Sequence, residues 1–230
     1  MTPEAQAAVM EATWPPAASW GLGPWRLRDG AGGGKRVSAA TLEGDWTEAD
    51  IAEAEAAMAE PLFMIRPQDS ALDAALQARG YAVVDPVVIY LAPTDGFAPP
   101  PHMATFPHWP PLQIDADLWD EAGIGTARLA IMHRAQGPKS VILARTADRA
   151  AGVAFVALHG TTAMLHALEV SPPYRRQGCA RNILHAAAVW AKGHGADRLA
   201  LAVTQANAGA RRLYASQGME VVGQYHYRHK

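Results

Sequence analysis

Arg175-Arg176-Gln177-Gly178-Cys179-Ala180 sets guanidinium cations and a residue without a side chain at the point where an apolar helical pattern begins. The first N–H groups of a helix have no partner within it, and the helix dipole is positive at that end. Gly178 would let a ligand approach the backbone closely, Ala180 would keep the first turn clear, and the arginines offer bidentate contacts to phosphate oxygens. The chemistry this supports is anion binding, in particular a pyrophosphate held by backbone amides. The segment alone fits a basic loop that caps a helix equally well.

The surroundings set that helix mouth in place. Ahead of it, Thr161–Val170 reads as a strand; behind it, Ala180, Ile183, Leu184, Ala187 and Ala191 form a stripe at helical spacing. Then come a strand in DRLALAVTQ, a helix in ANAGARRLYASQG and a final strand in MEVVGQYHYRH. KSVILART and GVAFVALHG supply two further strands before Thr161, after helices near 115–122 and 125–135. Three strands before the first crossover helix, then strand–helix–strand, predict a mixed α/β (α+β) sheet and not an all-parallel one.

LEVSPPYRRQGCA, followed by a strand and then NAGARRLYASQGM, resembles the acyl-CoA-binding core of the GNAT N-acetyltransferase superfamily over roughly residues 113–229. Arg175, Gly178 and Ala180 match that family's phosphate-binding motif; Asn207, Tyr214 and Gly218 match its later helix. The resemblance implies a mostly antiparallel sheet flanked by helices, with acetyl-CoA lying where the fourth and fifth strands of the family core splay apart. The backbone of Leu168 and Val170 would then pair with the pantetheine arm. The amides of Arg176, Gln177, Gly178, Cys179, Ala180 and Arg181 would hold the pyrophosphate, with Arg175 beside them. Asn207 would bond the arm, and Tyr214 would protonate the departing thiolate.

A base is also required, because an ammonium does not attack a thioester. His166 resembles a histidine of the serotonin N-acetyltransferases in H-x-L-x-V, although their second histidine is Met164 here. By the period of two, His166 shares a face with Leu168 and Val170, while Glu169 points the other way unless a bulge intervenes. His166 therefore ranks first as base and Glu169 second.

Seven of the nineteen residues from 93 to 111 are proline, which neither a central strand nor a helix interior accepts. This stretch divides the chain into a smaller α/β region (1–92), a proline-rich linker packed through Phe97, Phe106 and Trp109 (93–111), and the transferase-like domain (112–230). In the first region the pattern predicts a helix over 3–13, strands in WRLRD and KRVSAATLE around a glycine-rich turn, and a helix opened by Thr47 and Asp50. A strand LFMIR, a helix closed by Gly80 and a strand YAVVDPVVIYLA, single and bent or split near Pro86, complete it. Leu76-Gln-Ala-Arg-Gly-Tyr81 parallels Tyr214-Ala-Ser-Gln-Gly-Met219, as a degenerate GNAT-like repeat in tandem members would. The region has no R-x-x-G-x-A, and Leu76 replaces the tyrosine, so it is expected to bind no coenzyme A and to help shape the acceptor site.

DGAGGGKR lacks the first glycine of a phosphate loop and has Arg36 after the lysine, which leaves a flexible hairpin turn. Cys179, the single cysteine, excludes an internal disulfide and a multi-thiolate zinc site, and the histidines show no compact ligand spacing, so no metal is expected. Acids outnumber bases 22 to 20, which argues against a nucleic-acid partner. No apolar run of membrane length and no secretory pattern occurs, so a cytoplasmic protein without membrane contact is expected. Together these features predict acetyl transfer from acetyl-CoA to a primary amine on a small molecule or peptide. The alternative is a non-catalytic acyl-CoA-binding module, for which Tyr214 would have no use.

Overall fold

The computed structural model describes all residues 1–230. The chain opens with helix α1 (Pro3–Thr13), capped by the Thr2 hydroxyl, then hairpin β1 (Ala18–Leu22) and β2 (Trp25–Asp29), and the short strand β3 (Thr41–Leu42). Helix α2 (Glu48–Ala57) starts at a capping box between Thr47 and Asp50, and Ile51 and Ala54 are its buried face. Strand β4 (Leu62–Ile65), helix α3 (Ser70–Ala78) and strand β5 (Ala82–Pro93) follow. Strand β6 (Thr105–His108), helices α4 (Gln113–Glu121) and α5 (Thr126–Arg134), and strands β7 (Lys139–Thr146), β8 (Arg149–His159) and β9 (Thr162–Val170) come next. Helix α6 (Cys179–Gly193), strand β10 (Arg198–Thr204), helix α7 (Ala208–Ser216) and strand β11 (Glu220–His229) complete the chain.

Eight strands form one sheet in the order β4-β11-β5-β10-β9-β8-β7-β6, and β1, β2 and β3 form a small sheet beside it. All neighbours in the large sheet are antiparallel except β9 and β10. Strands from before residue 93 and after residue 111 therefore interleave: β5 lies between β11 and β10. The proline-rich stretch also belongs to this architecture. Its β6 pairs with β7 as an edge strand, where Pro107 costs little, and Phe97 is buried beneath α6.

Helix α6 covers one face of the sheet with Ile183, Leu184, Ala187 and Ala191, and the core there includes Leu165, Leu201 and Tyr214. Helices α1 and α4 cover the opposite face, where Trp14, Trp119, Val153 and Phe155 pack. No helix is long and apolar enough to cross a membrane.

One local expectation changes, and one alternative left open is resolved. The partner of β2 along its whole length is β1, not KRVSAATLE; only Thr41 and Leu42 of the latter pair with it. Residues 30–40 are thus no hairpin turn: they leave β2, pass over α5 and form a helical turn at Lys35–Val37. The segment YAVVDPVVIYLA is one strand, and β11 answers Pro86 with a register shift between Tyr225 and Tyr227. His226 is half-buried and bonded to Asp73.

Candidate active site

Strands β9 and β10 pair only from Thr162–Arg198 to Leu165–Leu201 and then separate. Beyond that point β9 carries a bulge. Ala167 has a positive φ of 50°, and its carbonyl accepts a 2.8 Å bond from the indole of fully buried Trp119. The bulge reverses the alternation. His166 lies opposite Phe155 and Glu169 opposite Val153, both on the α1/α4 face, whereas Leu168 and Val170 pack toward α6. The expected grouping of His166 with Leu168 and Val170 is therefore corrected: His166 shares its face with Glu169.

The gap opens toward α6. Arg176 (φ 65°) and Gly178 (φ 84°) both adopt left-handed backbone, which turns the chain so that successive amides face one way. The N–H groups from Arg176 through Arg181 have no acceptor in the protein. Such a row at a helix mouth fits a diphosphate. The side chains divide their labour: Arg175 Nε donates to the Val170 carbonyl at 2.9 Å and Gln177 donates to the Pro173 carbonyl, so both brace the loop. Arg176 and Arg181 stay exposed and without a carboxylate partner. Cys179 is buried, and its Sγ would lie 3.0 Å from a Cβ placed on Gly152, so the glycine lets α6 approach β8. Burial pushes the thiol's pKa up, although a hydrogen bond to Thr146 opposes the shift, so Cys179 contributes its backbone and no nucleophile.

A cavity of about 450 Å³ continues from the gap and is lined by His166, Leu168, Glu169, Asn207 and Tyr214 among others. The Asn207 carbonyl oxygen accepts from Ala210 N at 3.0 Å as the cap of α7, which leaves its NH₂ free. Tyr214 is 7% exposed, and its hydroxyl has no protein partner. Burial, then the Glu169 charge and Tyr90, push its pKa up to about 12, so it is a proton donor at neutral pH. Burial raises the Glu169 carboxyl above the usual range, while Arg175 and Arg128 draw it back.

His166 is placed differently from a base. Its Nδ1 receives Arg36 Nη1 at 3.2 Å, and its Nε2 lies 2.9 Å from the Thr13 hydroxyl. That hydroxyl donates its one hydrogen to the Val9 carbonyl, so His166 must donate from Nε2 and accept at Nδ1. The ring is neutral with both nitrogens engaged, stacked on Trp14 at 4.9 Å between centroids. Burial and then the Arg36 charge hold its pKa well below the ordinary value.

The first region and β11 both contribute to the cavity wall. Trp14, Gly33, Gly34, Arg36, Tyr225 and Tyr227 line it. The glycine-rich segment sits so tightly on α5 that a Cβ on Gly33 would lie 2.4 Å from Ile131 Cδ1. The segment expected to be a flexible hairpin turn is thus part of the cavity wall. Trp25 and Trp109 pack in cores. The signal available in the sequence was only the pairing of glycines with Lys35-Arg36.

A splayed parallel strand pair, a bulged strand and a free amide row at the following helix define an acyltransferase site. The model of the acetyltransferase (GNAT) family matches residues 95–219, more than half of the chain, and the chain belongs to that family. No curated protein matches it. Among solved structures, a GCN5-related N-acetyltransferase from Kribbella flavida superimposes with a TM-score of 0.72 at 16% identity, covering 98% of this chain and 94% of that one. A functionally unknown conserved protein from Staphylococcus epidermidis gives 0.68 at 10% identity over 94% of each chain. A tandem GNAT protein from the clavulanic acid biosynthesis pathway gives 0.62 at 15% identity, over 96% and 86%. These likenesses show the fold.

Proposed function

We propose that this acyltransferase moves acetyl from acetyl-CoA to a primary amine by direct attack. The observation that carries it is the convergence, on one cavity, of the β9–β10 gap, Glu169 and the unpartnered Tyr214 hydroxyl, next to the free amides of α6. The thioester supplies an activated acyl group. Amides 176–181 hold its diphosphate, the unpaired edge of β9 at Leu168 and Val170 bonds the pantetheine, and the Asn207 NH₂ reaches the arm.

Glu169 takes the proton of the ammonium, directly or through a water. The amine nitrogen then bonds the carbonyl carbon, the C–S bond breaks with its electron pair going to sulfur, and the second proton on nitrogen passes to that thiolate, which leaves the amide and the free thiol. The Tyr214 O–H donates to that sulfur. A phenol raised to about 12 is a weaker acid than a thiol of about 8.5, so its main service is a hydrogen bond to the developing thiolate. His166 does not compete with Glu169 as base, because both its nitrogens are occupied.

The first region acts as a cap on the acceptor side and not as a second transferase. Its Leu76, at the position matching Tyr214, is fully buried in its own core. Calorimetry with acetyl-CoA, followed by an amine panel scored by release of free thiol, tests the whole proposal. Micromolar binding and amine-dependent release are expected. Binding without release from any amine would leave a binding module.

A further inference from the structure

Arg36 is a cation without an anion. Its guanidinium lies deep among protein atoms on every side, yet the residue stays partly exposed because the cavity reaches it. No carboxylate pairs with it. The acids around the two cavities it borders are committed elsewhere: Glu11 to Arg28 at 2.7 Å, Glu43 to Arg26 at 3.1 Å, and Asp85 to Lys35 at 2.7 Å. Glu169 lies in the fields of Arg175 and Arg128.

The donors follow the same pattern. Nη1 is spent on His166, and Nε is buried without a partner. Tyr225 and Tyr227, each 4% exposed, stand beside the guanidinium on β11. The Tyr225 hydroxyl is buried without a hydrogen bond of good geometry, both tyrosine hydroxyls lie close to the guanidinium, and both residues line the cavity. An uncompensated charge and idle donors at this depth cost stability unless something fills them. The neutral ring of His166, locked by Thr13, holds the guanidinium in position and cannot neutralise it.

We infer that Arg36, with Tyr227, binds an anionic group of the acceptor, so that the amine substrate also carries a carboxylate or a phosphate. This rests on the transferase reading for the amine, while the anion site itself stands on geometry alone. Arg36 meets the His166 end of the bulge, and Glu169 lies three residues further along the same face, on the order of 10 Å by strand rise. Anion and amine are thus gripped at two ends of one cavity. Trp14, Arg36 and Tyr225 also border a second cavity of about 670 Å³, which gives the acceptor room on the side away from the gap.

The test uses the full chain saturated with coenzyme A. Calorimetry compares matched amines that differ only in the charged end: glycine and glycinamide, 4-aminobutyrate and 4-aminobutanamide, with 2-aminoethyl phosphate as the phosphate arm. At least one acid should bind tenfold or more tightly than its amide, and the preferred arm tells carboxylate from phosphate. Arg36→Gln should abolish the difference and Arg36→Lys should keep part of it, with coenzyme A affinity unchanged in both. Tyr227→Phe should lower acid binding about threefold, and it serves if Arg36→Gln does not fold. Equal binding of acid and amide in every pair, or discrimination surviving in Arg36→Gln, overturns the inference. Acids that bind but release no thiol from acetyl-CoA would sink the transferase reading and leave the anion site. Equal acetylation of acids and amides would do the reverse.

Discussion

The two halves of the proposed site, one for the coenzyme and one for the acceptor, are built in opposite ways. The cofactor half is local: nearly everything in it lies between Leu168 and Tyr214, and its main ligands are backbone amides presented by Gly178 and the first turn of α6. The acceptor half is assembled from side chains far apart in the chain, with Thr13, Trp14, Arg36, Glu169 and Tyr227 drawn from one helix end, a glycine-rich segment and two strands. A constant ligand can be met by a contiguous motif. A variable one is met by whatever surfaces the fold brings together, and such surfaces leave no shared signature.

Tyr214→Phe probes the join between the halves and carries the largest expected effect. It should lower kcat about a hundredfold, with acetyl-CoA affinity within twofold, because the hydroxyl has no partner to lose before sulfur departs. An unchanged kcat would show that the cofactor half works without it.

Glu169→Gln comes next. At neutral pH kcat/KM should fall roughly tenfold or more, and the acid limb of the pH profile should disappear. The sign of the stability change sharpens the point. Burial raises the folded-state pKa, so between the ordinary and the raised value the folded protein keeps a proton that the unfolded chain has lost. Stability therefore falls as pH rises through that window, and ionised Glu169 is a standing cost above it. The variant should melt about a degree or two higher at pH 7 while losing activity. A variant that is both slower and less stable would mean that Glu169 is structural.

His166→Gln is the smallest effect and reports on the acceptor half alone. The folded-state pKa of His166 is depressed, so its contribution is complete above pH 6.5 and is lost as pH falls, when the unfolded chain takes up the proton first. Urea midpoints at several pH values should show wild type losing up to about 1.4 kcal/mol per pH unit below 6.5. The variant should lack that component. An identical slope in both would free His166 to act as a base.

Much of the fold was legible because its signals are local. The Thr47–Asp50 capping box, the Gly80 stop and the apolar stripe of α6 each act within one or two turns. The misplaced pieces depend on partners that their own residue pattern does not show. β1 is five residues of weak alternation that become a strand only against β2. The bulge at Ala167 is held by the indole of Trp119, 48 residues earlier, and without it the period of two assigns Glu169 to the wrong face.

By itself the amino-acid sequence determined the amide row at the mouth of α6 on which the proposed cofactor half rests, because such a row needs only a glycine, small neighbours and a following helix, all contiguous. Only the tertiary structure decided which side chains line the cavity beside that row. A β-bulge, a buried hydrogen-bond chain from Val9 through Thr13 and His166 to Arg36, and two cavities meeting at that arginine are products of long-range packing. A lone pair is free or occupied according to what lies across the cavity, and no spacing along the chain records that.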